Sequence, residues 1–425
     1  MSDRRVAMSI TEGRTVRDLF ANGALDLLGD AGVEVTVFTE AVTVPQFVAE
    51  WSRPHVRFEP FYPAESTAWR SRAYRMRRRV ARTGRPALMR HYAAWEERRW
   101  YRPRPEHVEA LRRADPAVVV STHAHLYGET ELLAAAHALG LPTLGLVRSW
   151  DNVHKGIHAR PERLLVWNEI NRDEVVQLEG YRPEHVEVIG APQFDAYFAP
   201  DMLWPREKLA ERLDLDPERP ILLFATVGYF FPGFDETCWM DELVRLLDSG
   251  QIPGRPQVIC RLHPWSRLEH FRKYEAHPDV RLSHVERYLP ALTWYMTRED
   301  VLEVGNMLAH ADVVVTPGST MTLEAAIFDR PTVVPIFHTY QPERARNYFS
   351  RWALGKHFGR IADLDLVPIV RDADAYGPAI ARALEDPAWY RDERARLVKD
   401  YVPYTDGRST ERFVQAILRR AGWSG

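Results

Sequence analysis

The chain has 425 residues, 27% of them charged and 45% hydrophobic, with a net charge of −3. That length predicts two or three domains, each with its own core, and so near-neutral a balance names no partner by itself. No run of about 20 apolar residues occurs, so no spanning helix is expected. Cys238 and Cys260 lie outside any metal-ligand spacing, which argues against a disulfide scaffold or a zinc site.

Met1-Ser-Asp-Arg-Arg leads into a first strand, Val6 to Ile10, without the apolar core of a signal peptide, so a cytoplasmic protein is expected. The loop Thr11-Glu12-Gly13-Arg14 follows. Val16, Leu19, Phe20, Ala24, Leu27 and Leu28 then give Thr15 to Ala31 helical periodicity, ended by Gly32. Val33 to Thr39 is a second strand. This opening lacks G-x-G-x-x-G, so dinucleotide binding there is not expected.

A basic helical insertion, about 69–113, comes next. Between Trp69 and Pro105 stand 13 Arg, no Lys and 2 Glu, about +11, which leaves the rest near −14. Trp69, Ala73, Met76 and Val80 follow helical spacing among the arginines, and Leu88, Met89, Tyr92 and Trp95 extend an apolar face. Such a helix is either a solvated cover for one edge of the domain or a surface for an anionic membrane. No nucleic-acid motif accompanies the charge.

Beyond it, strands at Ala117–Ser121, Thr143–Val147, Leu164–Trp167 and Val186–Ile189 alternate with helices at Thr130–Leu139 and Ile170–Leu178. Gly190 to Pro205 reads as a linker. A second alternation follows, with strands at Ile221–Thr226, Val258–Leu262, Val280–Ser283, Val313–Thr316 and Thr332–Ile336. The tail, Asp374 to Ala421, is helical in two or three pieces. The fold class is therefore α/β, with two Rossmann-like domains whose parallel sheets face across a cleft and a helical C-terminus. The expected domains are 1–195 and 206–425. Ligands of such folds sit at the carboxyl ends of the strands.

One stretch is chemically pointed. After the buried strand at Val313–Val315, Pro317-Gly318 turns the chain, and Ser319 and Thr320 stand where a helix begins. Amides and the helix dipole there favour a phosphate, and Glu324, one turn in, can reach ribose hydroxyls. Read blandly, Ser319 and Thr320 are helix caps.

Four segments carry a resemblance. They are Leu146-Val-Arg-Ser-Trp-Asp-Asn-Val-His-Lys-Gly156; Val166-Trp-Asn168 through Val188-Ile-Gly-Ala-Pro-Gln-Phe-Asp195; Arg261-Leu-His-Pro264; and Ala311-Asp-Val-Val-Val-Thr-Pro-Gly-Ser-Thr320 with Glu324. Asp406-Gly-Arg-Ser-Thr-Glu-Arg412 adds a fifth. In order and spacing they resemble the CDP-glycerol glycerophosphotransferases of teichoic-acid synthesis, within the GT-B glycosyltransferase superfamily. Two departures stand out. The family's histidine after Trp is Asp151 here, and its Asp-Tyr before two serines is Pro317-Gly318. A Pro-Gly-Ser/Thr turn with a following Glu is closer to sugar-nucleotide GT-B enzymes.

The resemblance implies a metal-independent glycosyltransferase. It would move a sugar from a nucleotide-sugar, a substrate rather than a cofactor, to a cell-surface polysaccharide, glycolipid or lipid-linked acceptor. It would be cytoplasmic or peripheral on the inner face of the membrane. The alternatives are a CDP-glycerol or CDP-ribitol type polyol-phosphate transferase, a sugar-nucleotide 2-epimerase, and a non-catalytic nucleotide- or glycan-binding relative. Arg261, Gly318, Ser319, Thr320, Glu324 and Arg408 would hold the donor, and His263 would donate to a phosphate or the departing oxygen. Asp151 would be the base, unless it caps an Asx turn. Gly13, Arg14, His123, His125, Asn152 and His154 would line the acceptor side. His123 and His125 lack further ligands nearby, so no metal site is expected.

Overall fold

The computed structural model describes residues 4–63, 68–125, 129–228, 235–285, 289, 291–343, 346 and 358–423. The chain forms two compact units. The first comprises Met1–Phe198, Arg287–Arg298 and Tyr401–Gly425, and the second Ala199–Glu286 and Glu299–Asp400.

The first unit is built on seven parallel strands: β1 (Arg5–Ser9), β2 (Glu34–Thr39), β3 (Val56–Pro60), β4 (Val118–Ser121), β5 (Thr143–Leu146), β6 (Arg163–Val166) and β7 (Val186–Val188). Their order is β3-β2-β1-β4-β5-β6-β7. The second unit holds six: β8 (Ile221–Ala225), β9 (Gln257–Arg261), β10 (Val280–Ser283), β11 (Val313–Val315), β12 (Thr332–Pro335) and β13 (Ile369–Val370), ordered β10-β9-β8-β11-β12-β13. The central strands β4, β8 and β11 are buried at every residue, as parallel strands covered by helices on both faces must be. In each sheet the strand order reverses once, between β1 and β4 and between β8 and β11, and these are the topological switch points.

Two strands escape the sequence reading, β3 and β13, and both are edges. An edge strand buries only part of its surface, and Val56-Arg-Phe-Glu-Pro60 carries no apolar run. The stretch expected as one helix from Thr15 to Ala31 is broken into Gly13–Thr15, a π-helical turn Val16–Phe20, and Ala24–Asp30. Gly23, with φ +84°, makes the break. Asn22 uses it, donating Nδ2 to the carbonyls of Asp18 at 2.9 Å and Pro192 at 2.7 Å.

The last helix, Ser409–Arg420, was expected in the second domain but completes the first. Its apolar face, Phe413, Val414, Ala416, Ile417 and Leu418, lies in one core with Val6, Met8, Leu28 and Val120. Asp195 fixes its start by accepting from the amides of Ser409 at 3.0 Å and Thr410 at 2.6 Å. Two of the motif segments thus meet as an N-cap supplied from 214 residues away.

The Arg-rich stretch forms two helices, Ala68–Ala81 and Pro86–Trp100. Their inward faces differ from the expected ones. Ala73, Met89 and Ala93 are buried, whereas Met76, Leu88 and Trp95 are exposed. Arg77 goes inward in place of Met76, because Glu96 and Glu179 await it. Arg77 pairs with Glu96 and, at 2.5 Å, with Glu179, and all three are buried. Among the described residues no helix is long and apolar enough to cross a membrane.

Candidate functional site

Each switch point gathers polar side chains, and the two clusters are described separately. In the second unit, Thr226 follows β8 and His263 follows β9. The Thr226 amide bonds the Arg261 carbonyl at 3.0 Å, and its hydroxyl accepts from the His263 amide at 2.6 Å. The Trp265 amide donates to His263 Nδ1 at 3.1 Å. That bond, with Nδ1 as acceptor, places the proton of the neutral ring on Nε2. Gly228, with φ +77°, lies so near that an added Cβ would stand 2.7 Å from His263 Nδ1. Trp265 stands beside the histidine with ring centroids 6.0 Å apart and is 58% exposed.

After β11, Gly318 takes φ +70°. Ser319 caps the helix Thr320–Ile327 by accepting from the Met321 amide at 3.1 Å, and its hydroxyl bonds that of Thr316 at 2.9 Å. The capping reading is thus realised, and it aims the turn's amides outward from the sheet edge. Glu324 lies buried within that helix. Arg261 reaches sideways to the Ser283 hydroxyl at 2.8 Å. Arg408 is described apart from this set. It belongs to the first unit, at the exposed start of the last helix, where it pairs with Glu411 at 2.6 Å.

Sequence reasoning missed Glu236. It accepts from the Val227 amide at 3.1 Å and from the Ser266 hydroxyl, which also bonds Thr226 at 2.8 Å. Burial pushes its carboxyl from 4.5 up to about 7, although Ser266, Val227 and Gly228 all donate to it. The folded form therefore binds a proton that the unfolded chain releases between about 4.5 and 7. Stability contributed by protonated Glu236 is complete below 4.5 and lost as pH rises through 7, about 3 kcal/mol in all. Urea titrations at pH 4.5, 6 and 8 should show that loss in the wild type and not in Glu236→Gln; parallel curves would remove the assignment.

In the first unit the loop after β1 meets the ends of β4 and β5. Glu12 contacts Arg14 at 2.8 Å, Arg148 at 3.2 Å and His123 Nδ1 at 3.5 Å. Burial raises the Glu12 carboxyl, but His123, Arg148 and Arg14 outweigh it and hold it at about 2. Burial in turn lowers His123 to about 4 and His125 well below its ordinary range. Both rings are then neutral at pH 7, so Arg148 and Arg14 are the charges that keep Glu12 ionised there. The two Nε2 atoms lie 2.8 Å apart, one donating to the other.

Arg14 stacks its guanidinium 3.3 Å from the Trp294 ring centroid. Gly13 is closed in: its amide donates to the Thr293 carbonyl at 2.8 Å, and a Cβ would lie 2.4 Å from the Tyr295 backbone nitrogen. Close backbone packing, rather than a lining surface, is what this glycine supplies. Glu129 is buried beneath, accepting from Ser9 at 2.5 Å, Ser121 at 2.7 Å, Thr11 at 3.0 Å and the His123 amide at 3.0 Å. Burial raises its carboxyl against those donors.

Asp151 accepts from the Ser149 hydroxyl at 2.7 Å and pairs with Lys155 at 3.0 Å. Lys155 also donates to Asn152 Oδ1 at 2.8 Å, while the buried Asn152 Nδ2 has no partner among the described residues. His154 turns to Glu174 at 3.2 Å. No group of three His, Cys, Asp or Glu residues able to hold a metal occurs among the described residues. Cys238 and Cys260 are free and buried. Glu12 flanks Gly13-Arg14, which the sequence does single out, and Arg148 lies within the motif segment Leu146 to Gly156 without a role of its own there. Their signal lay in those loops, and their pairing did not.

No family model matches the chain, and no curated protein matches it. Solved structures do. The UDP-GlcNAc 2-epimerase from Neisseria meningitidis, bound to UDP-GlcNAc, superposes with a TM-score of 0.58 at 11% identity, over 98% of this chain and 99% of that one. A glycosyltransferase from Rickettsia africae ESF-5 gives 0.54 at 11% identity, over 99% and 100%. The wall teichoic acid polymerase TagF gives 0.56 at 11% identity, over 99% and 89%. With two parallel-sheet Rossmann-like units, the chain has the GT-B fold. The neighbours are enzymes, and at this identity their likeness fixes the architecture alone.

Proposed function

We propose that the protein is a metal-independent glycosyltransferase that takes a nucleotide-sugar donor and transfers its sugar to a polysaccharide, glycolipid or lipid-linked acceptor of the cell envelope. The observation carrying this reading is the β8/β11 switch point. There a helix start capped by Ser319 follows β11 and the Nε2–H of His263 follows β9, the two strands that flank β8 in one sheet. Amides, a hydroxyl and an imidazole N–H answer the charge that grows on a departing diphosphate. The exposed Trp265 offers a face for a base or sugar ring. In the first unit, Asp151 with Lys155, and Glu12 with Arg148, are candidates for handling the acceptor's proton.

A second reading, a sugar-nucleotide 2-epimerase, is favoured by the carboxylates Glu12, partly buried, and Glu129, buried, at the β1/β4 switch point. Epimerisation needs acid–base groups, which these two would supply. The polyol-phosphate transferase keeps its support in motif order, against the Asp151 substitution.

One assay separates the readings. The protein is incubated with UDP-, GDP-, CDP- and dTDP-sugars and with CDP-glycerol in D2O, with and without glycan or lipid-linked acceptors. Acceptor-dependent release of nucleoside diphosphate supports the glycosyltransferase. Deuterium entering sugar C2 without net release makes it an epimerase, and CMP from CDP-glycerol makes it a polyol-phosphate transferase. Binding without turnover leaves a non-catalytic relative.

Exposed Met76, Leu88 and Trp95 among the arginines of Ala68–Ala81 and Pro86–Trp100 support docking of these helices on an anionic membrane face. Vesicles with anionic lipid should float the wild type at low salt and release Trp95→Glu; equal flotation of both removes the idea.

A further inference from the structure

We infer that the first unit carries a second anion site, a cationic pocket at the amino edge of its sheet that takes a ligand with two bridged phosphates. The pocket, of about 540 Å³, lies between the helix Pro86–Trp100, the loop entering β6 and the end of the helix Glu169–Glu179. Arg163 opens β6, whereas Arg148 and Asp151 follow the carboxyl end of β5. The pocket is therefore at the opposite edge of the sheet from the β1/β4 cluster, and it stands independently of the nucleotide reading.

Five arginines line it against two glutamates, a surplus of three positive charges leaving His185 aside. Both carboxylates are engaged: Glu162 pairs with Arg420, and Glu97 bonds His137. Three guanidiniums have no such partner. Arg90 donates to the Gly180 carbonyl at 3.5 Å, Arg160 to that of Glu179, and Arg163 to that of Glu184 at 3.4 Å. Carbonyls orient a guanidinium fork without neutralising it. Among the described residues none of these three pairs with a carboxylate. Arg160 is further pinned 3.6 Å over the ring of Tyr181, whose hydroxyl donates to the Pro161 carbonyl at 2.8 Å.

Three oriented, uncompensated forks in one concavity repel one another until an anion enters. Planar forks suit phosphate oxygens, and a surplus of three is matched by bridged phosphates better than by one. Because Arg160 already covers the Tyr181 ring, the ligand is held through its phosphates rather than by a stacked base.

The test is calorimetric titration of the full chain with pyrophosphate, alongside flotation on phosphatidylglycerol vesicles. Arg160→Gln/Arg163→Gln should weaken pyrophosphate binding about tenfold or more. Arg182→Glu, at a side chain 68% exposed and so without consequence for folding, should weaken it severalfold. Ser319→Ala should leave unchanged the component of pyrophosphate binding that Arg160→Gln/Arg163→Gln removes, whatever it does to binding at the β8/β11 switch point. Vesicle binding lost in the double variant, with no pyrophosphate binding, keeps the site and assigns its anion to a lipid headgroup. Pyrophosphate bound equally by wild type and Arg182→Glu, or lost in Ser319→Ala, overturns the proposal, as does no response in either arm. If nucleotides fail to bind while pyrophosphate does, the glycosyltransferase reading falls and this site stands.

Discussion

Arg77→Met is expected to cost the first unit about 3–5 kcal/mol of stability, far more than any other arginine of its stretch. Among the described residues Arg77 is the sole guanidinium paired with Glu96 and Glu179, and all three side chains are buried. Burial opposes its charge, but the two carboxylates more than compensate and hold it protonated above its ordinary range. His158 and Tyr101 extend the network, with the Tyr101 hydroxyl 2.7 Å from His158 Nδ1. Methionine fills much of the space and removes the charge, leaving two carboxylates stranded in a dry interior. Urea unfolding at pH 7 measures the loss. Arg78→Met, on the same helix but not buried, is the control and should change little. A loss below about 1 kcal/mol for Arg77→Met would mean that water reaches the carboxylates. Adding Glu96→Gln and Glu179→Gln to Arg77→Met should recover part of the stability, because neutral amides do not require the cation.

His263→Ala is expected to lower donor turnover by about 10² to 10³ while nucleotide affinity changes far less. Its Nε2–H is the donor that the Trp265 amide bond prepares, and a donor aimed at developing charge acts mainly in the transition state. The turn itself survives the substitution, since the bond from residue 263 to Thr226 comes from the backbone amide. The readout is kcat against the Kd of the nucleoside diphosphate product. Near-normal kcat would sink the role, and equal losses in both would make the histidine a binding residue only. Ser319→Ala should instead weaken binding, because it removes a hydroxyl and a helix cap together.

The central strands were legible because short β-branched runs such as Val118-Val-Val120 and Val313-Val-Val315 have few other uses. The edges β3 and β13 were not, since Val56-Arg-Phe-Glu-Pro60 carries no apolar run and Ile369–Val370 is only two residues long. The places of Ser319, Thr320 and His263 in the fold were legible: each follows a strand at the carboxyl edge of its sheet, where ligands of such folds sit. Glu12 and Glu236 are single acids in loops, and nothing in a sequence distinguishes them from solvated ones. What singles them out is company from elsewhere in the chain, Arg148 for one and Ser266 for the other. Arg77 stands among arginines spaced like itself, and only the two glutamates select it. Arg408 and the last helix were assigned by chain order to the second domain, and chain order does not announce a return.

That return has a consequence for how the protein is made. The first unit is interrupted: its sheet is finished by residue 188, but the helix Ser409–Arg420, which seals its core, is translated only after the whole of the second unit. Until then Val6, Met8 and Leu28 lack their cover of Phe413 and Ile417, and Asp195 sits without the amides it holds. The second unit has no such wait. Every residue of the second unit is made before the helix that closes the first, so the half of the chain begun first is the half completed last.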